Sequence, residues 1–100
     1  MNKALAQARS YGITIELADL GEWGFDELRS EYDPAGPTIR VNARVLETLS
    51  LQELGEYLTF AIGHELYHHR EHLGEVQRDP NRAAREAAAN AYARALVAES

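Results

Sequence analysis

The residues His64-Glu65-Leu66-Tyr67-His68 carry the spacing His-Glu-x-x-His, and on a helix that spacing has a chemical meaning. Residues four apart differ by about 40° in direction and about 6 Å in height, so two imidazoles can converge on one ion. Glu65 is turned roughly 60° to 100° away from both rings, too far round to be a third ligand in their plane but within reach of a water on that ion. Two ligands, His64 and His68, and one general base, Glu65, therefore come from one stretch of chain. A catalytic zinc site needs a third protein ligand and an open position. His72 continues the row but would lie about 12 Å along the axis from His64, and His69 points about 100° off it, so both read as surface residues. The final helical segment offers one acid inside its body, Glu86, far enough beyond His68 for a helix to end, turn at Gly74 and return antiparallel. Its neighbours Ala83, Ala87, Ala89 and Ala93 are small, which lets two helices approach closely enough for a carboxylate to meet two imidazoles. The competing reading makes Glu86 a solvated acid paired with Arg82 or Arg85, and the two histidines ordinary core or surface rings.

The elements that must hold these groups can be read from periodicity. An alanine-rich helix runs from about Asn2 to Ser10, with Leu5 as its clearest core contact and Gly12 ending it. Ile13, Ile15 and Leu17 alternate with polar residues as in a half-buried strand. Ala18 to Glu27 is irregular and reads as a loop whose Trp23 and Phe25 fold back on the body. Leu28–Tyr32 and Thr38–Val41 form a hairpin across the five residues Asp33 to Pro37. In its second arm Ile39 and Val41 face one way, Thr38 and Arg40 the other, and Pro37 at the entrance suits an edge position. Asn42 caps a short helix from Ala43 to Leu49. Ser50 and Glu53 then form a capping box that opens a long helix ending near Gly74. Along it Leu51, Leu54, Leu58, Ala61 and Ile62 make an apolar stripe, flanked by Tyr57, His64 and His68. Asp79 and Pro80 supply an N-cap and a first-turn proline for a last helix reaching about Val97.

One hundred residues suit a single domain, 1–100. The chain has no cysteine, so any stabilising metal must use nitrogen and oxygen ligands. A net charge of −6 disfavours nucleic acid, since phosphate binding needs a basic face. No segment approaches the roughly 20 apolar residues that cross a bilayer. The first twelve residues, with Lys3, Gln7 and Arg9 among the alanines, read as a surface helix and not as a signal peptide, which points to the cytoplasm.

His64-Glu65-x-x-His68 followed by Glu86-Ala87-Ala88-Ala89, a Glu-x-x-Ala motif on a later helix, resembles the gluzincin metallopeptidases. With Ile39-Arg40-Val41-Asn42 before the histidine helix and Asn90-Ala91-Tyr92-Ala93 after Glu86, the chain looks like the ImmA/IrrE group and the single-domain minigluzincins, over roughly Tyr11 to Val97. The resemblance implies an α+β, zincin-like fold: a small twisted three-stranded sheet packed on an active-site helix and an antiparallel glutamate helix, with a short N-terminal helix. It implies a zinc-dependent endopeptidase with one Zn²⁺ on His64, His68 and Glu86, in which Glu65 is the base for a metal-activated water. Two imidazoles and a carboxylate accept other divalent metals as well. The edge strand near Thr38, Ile39, Arg40 and Val41 would border the cleft and bind an extended peptide or protein substrate by main-chain hydrogen bonds. A regulatory protein partner is also compatible with the resemblance. Asn90 is a candidate for orienting a ligand from behind, its other reading being a hydrogen bond across the helix pair. Tyr57, Tyr67 and Tyr92 are either oxyanion donors or, at helical spacing, core tyrosines. The alternative function is a non-hydrolytic, metal-stabilised regulatory or protein-interaction module on the same scaffold. A plain helix-pair binding domain without metal is a third.

Overall fold

The strand-like alternations assemble into one sheet. A computed structural model of the chain describes residues 3–21, 30–44 and 46–99. Strands β1 (Thr14–Ala18), β2 (Ser30–Asp33) and β3 (Thr38–Asn42) lie in the order β1-β3-β2. β1 pairs with β3 in parallel, Thr14 opposite Thr38, and β2 pairs with β3 antiparallel, Ser30 opposite Val41. The expected alternation holds on β3, where Ile39 and Val41 are fully buried. On the other face the register sets Glu16 and Glu31 on either side of Arg40. The guanidinium reaches Glu16, Glu31 and Asp33 at 3.3, 3.4 and 3.5 Å. Such half-exposed pairs add only tenths of a kcal/mol each, about 0.2–1, but opposite charges across a ladder favour this register over a slipped one.

The expected edge position of Thr38–Val41 is overturned, because β3 is the central strand with both sides hydrogen-bonded. Its two inward residues are the most deeply buried of the sheet, which suits the middle and not the rim. Pro37 is no obstacle. It precedes the ladder, and its carbonyl accepts from Thr14 N at 3.0 Å. The hairpin connection is four residues, Pro34 to Pro37, since Asp33 still pairs with Thr38. Gly36 at φ 112 supplies the left-handed turn. On β1, Ile15 is half-buried and Leu17 exposed, because the long helix packs on β2 and β3.

Helix α1 (Lys3–Ser10) buries Ala4 and Ala8 where Leu5 was expected, the leucine packing at the rim of the core. Small residues one turn apart let α1 lie close against its neighbours. The helix expected at 43–49 shrinks to a 3₁₀ turn, Leu46–Thr48. The side chain of Asn42 is fully buried and accepts from Leu20 N and Arg44 N, tying both neighbouring segments to the sheet's end.

Helix α2 (Leu51–Leu73) begins with the expected capping box between Ser50 and Glu53. It ends in a Schellman arrangement, with Gly74 N donating to Glu71 O and Glu75 N to Arg70 O. Ala61, Ile62 and Leu66 carry its buried face, while Leu51, expected in the stripe, is 89% exposed on a first turn that projects past the core. Helix α3 (Arg82–Glu99) is capped by Asn81 and not by Asp79. Asn81 Oδ1 accepts from Ala84 N, while Asp79 Oδ1 accepts from Asn81 N and fixes the turn before it. Gly63 meets Ala93 and Leu96, His64 meets Asn90 and His68 meets Glu86, so α2 and α3 run antiparallel. Among the described residues no helix is long and apolar enough to cross a membrane. Asn2, the aromatic loop with Trp23 and Phe25, and the first arm's Leu28 lie outside the described residues.

Candidate metal centre

His64 and His68 stand one turn apart in the middle of α2, their side chains mostly covered by α3 and β2. Each ring is held from behind through Nδ1. His64 Nδ1 lies 2.8 Å from Asn90 Oδ1, and His68 Nδ1 lies 2.7 Å from Glu71 Oε1. Both partners are acceptors, so both Nδ1 atoms carry hydrogen, and in the neutral form of each ring the lone pair is on Nε2. The two Nε2 atoms face one another at 3.3 Å. In the neutral form of both rings, two lone pairs at that distance repel unless a cation, a proton or a metal ion, lies between them.

Glu86 comes in from the second turn of α3. Its Oε2 is 2.9 Å from His64 Nε2 and its Oε1 is 3.5 Å from His68 Nε2. Tetrahedral zinc with bonds of about 2.0–2.1 Å sets neighbouring ligand atoms about 3.3–3.4 Å apart. The three separations therefore match the size of a small divalent ion. Arg82 and Arg85 make no ion pair with Glu86 among the described residues, so the competing surface-pair reading of that acid has no contact behind it. Glu71 adds to the fit. Its carboxylate is almost fully covered, and Oε2 has no hydrogen-bond partner. A buried anion with one satisfied oxygen is costly, and a cation on the far side of the His68 ring would offset that cost.

Glu65 projects from the same helix, 6% exposed, with Oε2 3.8 Å from His64 Nε2. A ligand atom each from His64, Glu65 and His68 lie within 4.8 Å of one another. Glu86 nonetheless lies nearer the rings and opens to solvent, which suits it better as a ligand and leaves Glu65 beside any ion held there. The Ser30 hydroxyl, on β2, donates to Glu65 Oε2 at 2.6 Å. Burial pushes the Glu65 carboxyl above its ordinary range and the nearby Glu86 adds to this, while the Ser30 hydrogen bond and the imidazoles pull it down.

The remaining candidates separate. His69, expected at the surface, is buried, its Nδ1 2.6 Å from the Tyr32 hydroxyl and its ring edge-on to Tyr11 and Tyr32. Burial, and to a lesser extent His72, lowers its pKa, so it is a neutral core residue. His72 is exposed, as expected. Tyr57 and Tyr92 spend their hydroxyls elsewhere, on Asn42 O and Gln7 Oε1. Tyr67 packs against His68 and Tyr92 but does not line the cavity in front of the rings. Asn90 does hold His64.

Glu71 and Ser30 escaped the sequence reading. Glu71 had a local signal, three residues after His68 on one helix face. Ser30 had none, because a distant strand delivers it. The cavity holds about 680 Å³ and is lined by Ser30, Tyr32, His64, Glu65, His68 and Glu86, among others. Thr38, Ile39, Arg40 and Val41 do not line it. The strand that borders it is β2, which lies at the rim of the sheet. Compared with protein-family models, with curated proteins and with solved structures, the chain matches none of them.

Proposed function

We propose that the chain is a zincin-like, zinc-dependent endopeptidase, with the ion held by His64, His68 and Glu86. The observation that carries the reading is the pair of Nε2 atoms 3.3 Å apart, each ring fixed through Nδ1, with one carboxylate in front of both. Metal ligands are oriented in this way by outer partners. A divalent ion bound there supplies a Lewis acid that polarises a carbonyl and makes water nucleophilic near neutral pH.

The protein's own groups do the rest. Glu65, held by Ser30 and with its carboxyl made more basic by burial, is suited to take a proton from the attacking water and return it to the leaving amine as the C–N bond breaks. An extended peptide has a docking edge in β2, whose Ser30 and Tyr32 line the cavity. β2 thus takes the role that the sequence reading gave to Thr38–Val41.

The test compares wild type with Glu65→Gln for zinc content and for cleavage of an unfolded protein such as casein. The reading expects one zinc in both and cleavage in wild type alone. Zinc retained without cleavage by either chain would favour the non-hydrolytic module, and cleavage by the Gln variant would remove Glu65 from the chemistry.

A further inference from the structure

The cavity in front of the imidazoles has a wall that the proposed hydrolysis does not use. Arg78, Arg82 and Arg85 line it together with the histidines and Glu86. Three acids, Glu65, Glu71 and Glu86, share that lining, so the arginines stand out not by net charge but by lacking acid partners, on a chain with ten Lys and Arg against sixteen Asp and Glu. Four cations elsewhere have acid partners: Lys3 has Glu99, Arg40 has Glu16, Glu31 and Asp33, Arg44 has Asp19, and Arg70 has Glu75. Arg78 and Arg82 have no such partner among the described residues, and Arg85 donates only to the carbonyl of Asp79. Arg9 and Arg94 also lack one, but they do not line the cavity. The acids that share the cavity make their contacts away from these arginines: Glu65 with Ser30, one oxygen of Glu71 with His68, and Glu86 with both rings. The guanidiniums are therefore left to whatever enters.

We propose that Arg78 and Arg82 form an anion subsite that recognises a carboxylate of the bound peptide, making acidic peptides the substrate class. Guanidinium is charged at every working pH and matches a carboxylate with paired N–H donors. Both arginines are exposed where they line the cavity, so each single pair is screened as at a surface and the preference rests on the two guanidiniums acting on one carboxylate. The carboxylate has two possible sources, an Asp or Glu side chain and the peptide's C-terminus. The consequence for substrates rests on the hydrolase reading, while the recognition itself does not require turnover.

The experiment uses the full chain carrying Glu65→Gln, loaded with zinc so that no peptide is consumed, and reads binding by fluorescence anisotropy. Four labelled peptides share a Gly-Ala-Ser background: neutral with a blocked C-terminus, one glutamate blocked, neutral with a free C-terminus, and one lysine blocked. At least one carboxylate-bearing peptide is expected to bind about tenfold more tightly than the neutral blocked one, and which of the two does so names the source. The preference is expected to vanish in Arg78→Gln/Arg82→Gln with zinc content and thermal unfolding unchanged, and Arg82→Glu is expected to shift it towards the lysine peptide. Equal binding of acidic and neutral peptides, binding of none, or a preference that survives the double substitution overturns the proposal. Zinc content and casein cleavage by the wild-type chain report separately on the hydrolase reading.

Discussion

His68 Nδ1 lies 2.7 Å from Glu71 Oε1, one turn further along the same helix, and the other oxygen of that carboxylate is buried without a partner. The carboxylate fixes the ring with Nε2 facing its neighbour and adds negative charge behind a proposed ligand. Glu71→Gln removes the charge and Glu71→Ala removes the hold as well. Zinc affinity, measured by competition with a chelator, is expected to fall about 10–100-fold, with Ala at the larger end and Asn90→Ala behaving similarly through His64. Unaltered affinity in all three variants would detach these contacts from the metal.

Removing a ligand itself should be more severe. His64→Ala and His68→Ala are expected to lose zinc on dialysis against metal-free buffer, and Glu86→Ala to bind more weakly than wild type. In the wild-type chain, zinc at 100 times its Kd should stabilise the fold by about 2.7 kcal/mol, and the His64→Ala unfolding curve should ignore it. Equal stabilisation of wild type and His64→Ala would locate the metal elsewhere.

Glu65 gives the metal-free chain a pH dependence of known sign. Burial raises its carboxyl in the fold, so the folded state holds that proton more tightly than the unfolded chain. Its favourable contribution is greatest below the ordinary carboxylate range, about 4.3, and is lost as pH rises through the raised folded value. Glu65→Gln has no such proton to lose. In the presence of chelator, denaturant titrations should therefore show the Gln variant gaining on wild type between pH 4 and pH 7. A margin that moves the opposite way contradicts a buried, destabilising carboxylate.

Gly63 marks a close approach of α2 and α3. A Cβ there would stand 3.0 Å from Leu96 Cδ1 and 3.2 Å from the Ala93 Cα. The leucine tip can move, but the Ala93 backbone cannot without shifting α3. Gly63→Ala is expected to destabilise the chain by about 1–3 kcal/mol in denaturant titration, despite alanine's better helix propensity. Leu96→Ala in the same background should recover little, since the backbone contact remains. A stabilised Gly63→Ala chain would mean that the two helices are not packed this closely.

Local chemistry was the legible part of this fold. The Ser50–Glu53 box, the Gly74 stop, the helix through His64 and His68, and the meeting with Glu86 all follow from residues close in sequence or from helical geometry. Sheet order was not legible, because Pro37 suits both an edge strand and the residue just ahead of a central one, and only the packing of α2 on β2 and β3 decides between them. The start of α3 was displaced because Asp79 and Asn81 are both competent caps, and the side-chain bond from Asn81 to Ala84 N wins. Ser30 reaches Glu65 across thirty-five positions of chain, a relationship with no sequence periodicity. Leu51 and Leu5 show the limit of the apolar stripe: it marks a face but does not say where along the helix the core begins.

The tight crossing at Gly63 immediately precedes His64, so the fold and the proposed ion site share one mechanical tolerance. A slide of α3 by a single residue would carry Glu86 about 1.5 Å along the axis, enough to unseat a carboxylate from two rings fixed on the other helix. A substitution at position 63 is therefore expected to disturb the placing of Glu86 against the rings along with the packing of the helices.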